Sequence, residues 1–202
     1  MSAPELRPRP AAAGVVLAVC AADVLELAAF RGRAPELASR AREHGVTLPP
    51  HGQVGAVPGG LALRVRPERW LLLVPAAEAG ASARKWQEIC GSAAAAIELS
   101  SGLAVLHLAG GAVREVMKRG CRLDLAAAAF PAGAAAASAM AQVAVTLAAL
   151  PSGLLLLTPA TTARHLCEWL AAAARPFGFE RGAEVTVVAL YGDQRSSGDQ
   201  RS

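Results

Sequence analysis

The sequence contains few residues whose type and spacing suit a catalytic motif. Ser100-Ser101-Gly102 lacks the Gly-x-Ser-x-Gly frame that exposes a nucleophilic serine on a strand-to-helix turn. Gly110 and Gly111, together with Gly102, form neither a dinucleotide-binding fingerprint nor a phosphate-binding loop. We therefore predict no catalytic residue and no cofactor-binding residue in this chain.

Two single residues could take part in chemistry. His107 could serve as a general base, but no nucleophile is visible near it, so we favour a histidine on the polar face of a strand. Asp124 could bind a cation or a cofactor amine. An aspartate just beyond the end of a helix more often caps the following turn, and we favour that role.

Arginines surround one tryptophan. Arg64, Arg66 and Arg69 lie close to Trp70 in a predicted hairpin. They could contact an acidic partner, or they could form a solvated strand edge whose charges discourage aggregation. The sequence leaves both interpretations open. Two further tryptophans are expected to anchor a core or an interface: Trp86 and Trp169.

The cysteines and histidines lack the spacing of metal ligands. The cysteines are far apart, form no Cys-x-x-Cys pair and have apolar neighbours, which predicts reduced structural thiols in a cytoplasmic protein. We predict no metal site from either set: Cys20, Cys90, Cys121 and Cys167, and His44, His51, His107 and His165.

The composition is typical of a globular protein and argues against nucleic-acid-binding and membrane-spanning proteins. The 202 residues are 53% hydrophobic and 18% charged, so the chain can bury one large core or two smaller ones. The net charge is +4, but the basic residues are scattered and aromatic residues make up only 4%, which argues against nucleic-acid binding. No apolar run reaches the roughly 20 residues of a membrane-spanning helix, so no membrane association is expected.

The two ends of the chain differ from its middle. Arg7 and Arg9 followed by an apolar run could begin a signal peptide that is cleaved near Ala21. We favour a cytoplasmic protein, because the strand-like pattern continues through residues 16–27. Residues 1–13 are predicted to be a flexible lead, and residues 192–202 a disordered tail.

Two successive segments repeat the order β-α-β-β-α-β. The first, residues 14–100, has these predicted elements: strand 24–30, helix 35–44, irregular loop 46–60, strand 61–66, strand 70–74, helix 82–90 and strand 94–99. The second, residues 101–191, has these: strand 103–108, helix 112–119, loop 120–140, strand 142–150, strand 154–158, a helix from 161 or 162 to about 175, and strand 184–190. We therefore predict an α+β fold in which two ferredoxin-like halves pack as one unit.

Short signals mark the ends of the predicted helices. Ser82 and either Thr161 or Thr162 are expected N-caps. Gly45 is expected to end the first helix, and Gly120 is expected to end its helix in the left-handed conformation.

The run LSSGLAVLHLAGGAVREVMKRGCRLDL at residues 99–125, followed by AAAAFPAG, resembles the γ-subunit family of heterotetrameric sarcosine oxidase. The shared positions in and just after it are Lys118, Gly120, Cys121, Asp124, Leu125, Phe130 and Gly133. Three other segments are similar: REHGVTLP at Arg42 to Pro49, RPERWLLL at Arg66 to Leu73, and HLCEWLAAAA at His165 to Ala174. The resemblance spans about Val24 to Gly178, and it departs from the usual family pattern at Arg66, Ser138 and Ala160.

The resemblance implies a subunit of a larger enzyme. That enzyme oxidatively demethylates sarcosine to glycine and passes the one-carbon unit to tetrahydrofolate. FAD, FMN, NAD and tetrahydrofolate are implied on the larger partner subunits, of the alpha, beta and delta types, and a non-catalytic role in assembly is implied for this chain. The family is also related in fold to the folate-binding domain of the glycine-cleavage T-protein.

Three alternatives stay open. The complex could act on another N-methyl amino acid, such as N-methylglutamate. The chain could be a stand-alone folate-binding protein of the T-protein type, with a cleft between its halves as the binding site. It could also be an exported interaction protein.

Overall fold

Alternating apolar residues along the chain form two β-sheets in the computed structural model, which describes residues 14–190. The strands are β1 Val15–Ala21, β2 Asp23–Ala29, β3 Gln53–Val57, β4 Gly60–Arg66, β5 Arg69–Val74, β6 Ala94–Glu98, β7 Leu103–Ala109, β8 Ala135–Met140, β9 Val143–Leu150, β10 Gly153–Pro159, β11 Phe179–Arg181 and β12 Val185–Thr186. The helices are α1 Ala34–Glu43, α2 Ala81–Cys90, α3 Val113–Met117 and α4 Ala160–Ala174. The predicted lead and tail lie outside the described residues.

The strands are arranged in two sheets of related topology. Sheet 1 has the order β3-β4-β5-β2-β6, and sheet 2 has the order β11-β1-β7-β10-β9-β8 with β12 also on β1. Without β3, the antiparallel order of sheet 1 is that of a ferredoxin-like unit. The α+β fold with two sheets is therefore confirmed.

Three apolar layers hold the sheets and helices together. Leu37 of α1 and Trp86 of α2 pack on the outer face of sheet 1. Val116 of α3 and Leu166 of α4 pack on the outer face of sheet 2. The inner faces of the two sheets pack against each other in a third layer, which includes Leu61, Leu63, Leu73, Leu155 and Leu157. The order of layers is helix, sheet, sheet, helix, and none of the described helices is long and apolar enough to span a membrane.

The strand beside β7 is not the one that we predicted. We expected strand 184–190 to complete the second half, but only Val185–Thr186 is a strand there. β1 pairs with β7 instead, with Leu17 opposite Leu108. β1 is stabilised in this position because its side chains at Val15 and Leu17 are buried in the apolar layer between sheet 2 and its helices. Residues 15–21, which we assigned to the first half, thus pair in sheet 2.

Two strands lie in segments that we predicted to be loops. β3 lies within loop 46–60, and β8 lies in the alanine-rich end of loop 120–140. β8 pairs with β9 along its length, from Ala135 opposite Ala148 to Met140 opposite Val143. The two strands also join the sheets at their edges, because Val54 N donates to Gly133 O at 2.8 Å and Ala135 N donates to Gly52 O at 2.8 Å. β8 has none of the β-branched or aromatic residues that are typical of strands, and β3 has only Val54 and Val57.

The predicted helix caps are partly wrong. Gly45 lies just beyond the end of α1, as expected, and has a left-handed conformation with φ of 74°. Ser82, however, lies inside α2, whose N-cap is Gly80, and the Ser82 hydroxyl donates to Asp23 Oδ2 at 2.6 Å. Thr162 lies inside α4 and donates to Pro159 O at 3.1 Å. The Ser82 hydroxyl thus bonds to a residue far away in sequence, and the Thr162 hydroxyl bonds to a carbonyl three residues before it. Neither hydroxyl caps its helix.

Gly120 is required for close packing, not for a left-handed helix stop. Its φ is not in the left-handed region, so that prediction is wrong. A Cβ at Gly120 would lie 2.6 Å from both Cη2 and Cζ2 of Trp169, which is well inside van der Waals contact. The glycine therefore lets the segment after α3 lie against α4.

We expect Gly120→Ala to lower the free energy of unfolding by about 1–3 kcal/mol, because the methyl group overpacks against the Trp169 ring. Chemical denaturation of the purified chain measures this change. Gly111→Ala is the control, since a Cβ there meets nothing within 4 Å and its φ is not left-handed. Equal stability of the two variants would contradict the packing role of Gly120.

The outer edge of sheet 1 is covered by one side chain. Gln87 of α2 donates through Nε2 to Ala94 O at 3.2 Å and accepts from Ala96 N at 2.9 Å. These are outward-facing backbone groups of the edge strand β6. The Gln87 amide thus takes the place of a neighbouring strand and protects an exposed edge.

Gln87→Ala should lower the free energy of unfolding by about 1 kcal/mol, because two backbone hydrogen bonds of the edge strand are lost. It should also raise the rate of aggregation near the thermal midpoint. Light scattering during heating tests the second effect. Glu88→Ala, at the exposed neighbouring position, is the matched control and should aggregate as the wild type does.

Candidate functional site

A cleft with charged groups at its mouth opens between the two sheets. Its volume is about 220 Å³. Sheet 1 contributes Val65 and Leu71, and sheet 2 contributes Ala137, Ala144 and Leu157. The charged lining residues all come from sheet 1: Glu26, Arg66 and Arg69.

A β-bulge directs Arg66 into this cleft. The register between β4 and β5 shifts between Leu63 and Arg66, so that Arg66 pairs with Arg69. Consecutive strand residues normally point to opposite faces, but a bulge changes that alternation. As a result, both Val65 and Arg66 line the cleft.

An ion pair lies beside Arg66. Arg69 Nη1 donates to Glu26 Oε1 across the β2–β5 pair. The Glu26 side chain is only 13% exposed, whereas Arg69 is 47% exposed. Glu26 therefore neutralises Arg69, and Arg66 is the cleft cation to which the described residues give no hydrogen bond or ion pair.

The structure separates the arginines that surround Trp70 in sequence. Arg64 lies on the opposite face from Arg66, with its guanidinium carbon 4.5 Å from the centre of the Trp70 ring. Trp70 is buried, and its Nε1 donates to Pro49 O at 2.9 Å. Arg64 and Trp70 thus form a cation–π contact on the helix-facing side, and only Arg66 and Arg69 reach the cleft.

His107 has a partner that the sequence did not reveal. The side chain is 6% exposed, so it is not on a polar face as we predicted. Ser152 Oγ lies 3.3 Å from His107 Nε2, although 45 residues separate the two. Ser152 belongs to the turn between β9 and β10, and such a hairpin turn does not have the strand-to-helix geometry that exposes a nucleophilic serine. The pair links the turn to β7.

Asp124 caps a turn, as we favoured. Its Oδ1 accepts from Ala126 N at 2.9 Å, which is the geometry of an Asx turn. Nearby, Arg114 of α3 donates to Leu125 O and to Phe130 O, the latter at 3.0 Å. The aspartate and the arginine together fix the loop that follows α3.

Metal ligands and reactive thiols do not gather in the described part of the chain. Within residues 14–190, no three His, Cys, Asp or Glu side chains come close enough to hold a metal ion. All four cysteines are free. Burial raises the pKa of Cys20 to about 11, with a smaller contribution from Glu184, and burial raises the pKa of Cys90 to about 11.

The remaining tryptophans pack in the two outer layers. Trp86 is buried under α2 with the core of sheet 1. Trp169 is half-buried on α4 and lies against Gly120. Gly110 also has a packing role, because a Cβ there would lie 2.4 Å from Gly14 O. This close backbone approach explains the glycine at position 110.

These features define a class of fold: two ferredoxin-like sheets packed face to face, with a charged cleft between them. Heterotetrameric sarcosine oxidase from Corynebacterium sp. U-96, solved in complex with pyrrole 2-carboxylate, has a chain of similar structure. The TM-score is 0.72 and the identity 28%, over 83% of this chain and 87% of that chain. The crystal structure of glycine cleavage system aminomethyltransferase T from Bartonella henselae shares the fold, with a TM-score of 0.62 and 18% identity. That similarity covers 92% of this chain but only 52% of the other.

The family is established by sequence. A profile of the sarcosine oxidase gamma subunit family matches residues 36–174. This match covers more than half of the chain, and the chain belongs to that family. No individually curated protein gave a match to the sequence. The resemblance that the short motifs suggested is therefore confirmed.

The buried thiols predict a loss of stability in alkali. A thiol whose pKa is about 11 when folded and about 9 when unfolded stabilises the fold below pH 9, and that contribution is lost as the pH rises from 9 towards 11. We expect the free energy of unfolding to fall over this range, and we expect a shallower fall in a Cys20→Ala, Cys90→Ala variant. Denaturant unfolding at pH 8, 9 and 10 measures both slopes. Identical slopes would mean that the thiols do not contribute.

Proposed function

We propose that this chain is the gamma subunit of a heterotetrameric sarcosine oxidase-type flavoenzyme. The family match over residues 36–174 is the observation that carries the proposal. The 28% identical chain of the Corynebacterium heterotetramer supports it, because the similarity covers most of both chains. The reaction that we propose for the complex is the oxidative demethylation of sarcosine to glycine, with transfer of the one-carbon unit to tetrahydrofolate.

We propose a structural role for this subunit within the complex. The positions that resemble the family have packing roles in this chain. Gly120 leaves room for the Trp169 ring, and Asp124 caps a turn. Trp70 Nε1 donates a hydrogen bond to Pro49 O. Each such contact fixes one part of the fold against another, which supports a structural role. Chemistry is then the task of the larger subunits.

The proposed partners are larger flavoprotein subunits, of the alpha, beta and delta types. FAD, FMN, NAD and tetrahydrofolate are assigned to those subunits and not to this one. A cytoplasmic location is part of the proposal, and it is supported by four cysteines that remain free in the structure.

Affinity purification of the endogenous chain in mild salt tests the proposal. We expect larger chains to co-purify, the complex to absorb at flavin wavelengths, and sarcosine to be oxidised with consumption of oxygen. Removal of this chain should reduce the recovery of assembled, flavin-loaded complex severalfold. A lone, colourless chain would contradict the proposal.

Two further measurements separate the alternatives. Substrate assays with sarcosine and N-methylglutamate decide which N-methyl amino acid the purified complex uses. Calorimetry of the free chain with tetrahydrofolate tests the stand-alone folate-binding function, which the similarity to aminomethyltransferase T supports only at the level of fold. No heat at high ligand concentration would exclude that function.

A further inference from the structure

The inner face of sheet 1 extends beyond the cover that sheet 2 provides. Most of that face is buried in the layer between the sheets. At one end, however, Ile97 of β6 is 41% exposed and lies directly opposite Glu26 in the strand register. Phe30, one residue past the end of β2, is 50% exposed. Phe30 N donates to Ala93 O at 2.9 Å, so the two exposed apolar side chains both border the edge strand β6, four positions apart along it.

This exposed surface continues into the cleft. Glu26 pairs with Ile97 on one side and lines the cleft on the other, so the two regions share a boundary. We call the combined surface the open face and define it by Glu26, Phe30, Arg66, Arg69 and Ile97. Its floor is apolar, since Leu71 and Leu157 lie beneath it.

One positive charge on the open face is uncompensated. Glu26 is engaged by Arg69, whereas Arg66 has no acceptor among residues 14–190. Covering Arg66 with an apolar surface would leave a desolvated guanidinium without a partner, which is strongly unfavourable. Covering it with a carboxylate would form a charge-assisted pair. The occupant that fits this surface is apolar with one acidic group.

We propose that the open face receives a segment of one of the larger subunits, in which an apolar side chain enters the cleft and a neighbouring Asp or Glu pairs with Arg66. This inference rests on the proposed function. A segment of protein suits the surface better than a small molecule does. The cleft, at about 220 Å³, is smaller than typical ligand pockets of roughly 300–1,000 Å³ and continues onto exposed side chains. Protein interfaces combine an apolar and aromatic centre with arginine in this way.

Variants of the tagged chain, expressed in place of the endogenous one, test the inference. We expect Ile97→Asp and Arg66→Glu each to lower the recovery of flavin-binding chains per tagged chain at least tenfold. Val188→Asp and Arg42→Glu are the matched controls. They change a 49% exposed valine and an exposed arginine outside the open face, and they should recover the complex as the wild type does. Unfolding of each purified variant checks that the fold is retained.

Photo-crosslinking identifies the occupant. A photoreactive amino acid at position 97 should crosslink to a peptide of a flavin-binding chain that contains an Asp or Glu. Reversal of that acidic residue to Arg should restore assembly with Arg66→Glu.

If Ile97→Asp and Arg66→Glu both assemble as well as the wild type does, the inference is overturned and the proposed function stands. Crosslinking to a second copy of this chain would also overturn it. Failure of the wild type to recover any flavin-binding chain would instead remove the proposed function itself.

Discussion

The burial of two sheets against each other is the interaction on which the whole structure depends. An antiparallel sheet with helices on one side commonly exposes its other side to water, with polar residues there. Here the inner faces carry Leu61, Leu73 and Leu155, all fully buried. Each such side chain contributes about 1.5–3 kcal/mol relative to its exposed state. Without the other half, the apolar inner face of either half would therefore be exposed to water.

This constraint also explains how the chain is routed. β1 crosses into sheet 2 and pairs with β7, while β2 begins sheet 1 only two residues later. The edges of the sheets are then joined by the backbone bonds between β3 and the start of β8. Both connections tie the sheets at their margins, so the face-to-face packing does not depend on side chains alone. The open face lies where the inner face of sheet 1 extends past this packing.

The roles of the polar residues fit the structural role that we propose for this subunit. Asp23 accepts from Ser82, Asp124 caps a turn, and Gln87 covers a sheet edge. Each of these side chains satisfies a group within the fold. Arg66 differs, because a bulge turns it into the cleft without an acceptor. Arg66 is exposed in the free chain, and in a heterotetramer an acidic group of another chain can pair with it.

Hydrophobic periodicity by itself determined the helices and most of the strands, because each of these elements has one face with a clear apolar repeat. The position of Asp124 just beyond the end of a helix also predicted its turn cap, since an Asx turn is a local interaction. Only the tertiary structure decided the place of β1, the strand character of the alanine-rich β8, the contact between His107 and Ser152, and the direction of Arg66. These features depend on pairing between residues far apart in sequence, and a local pattern does not record which strand will be the neighbour.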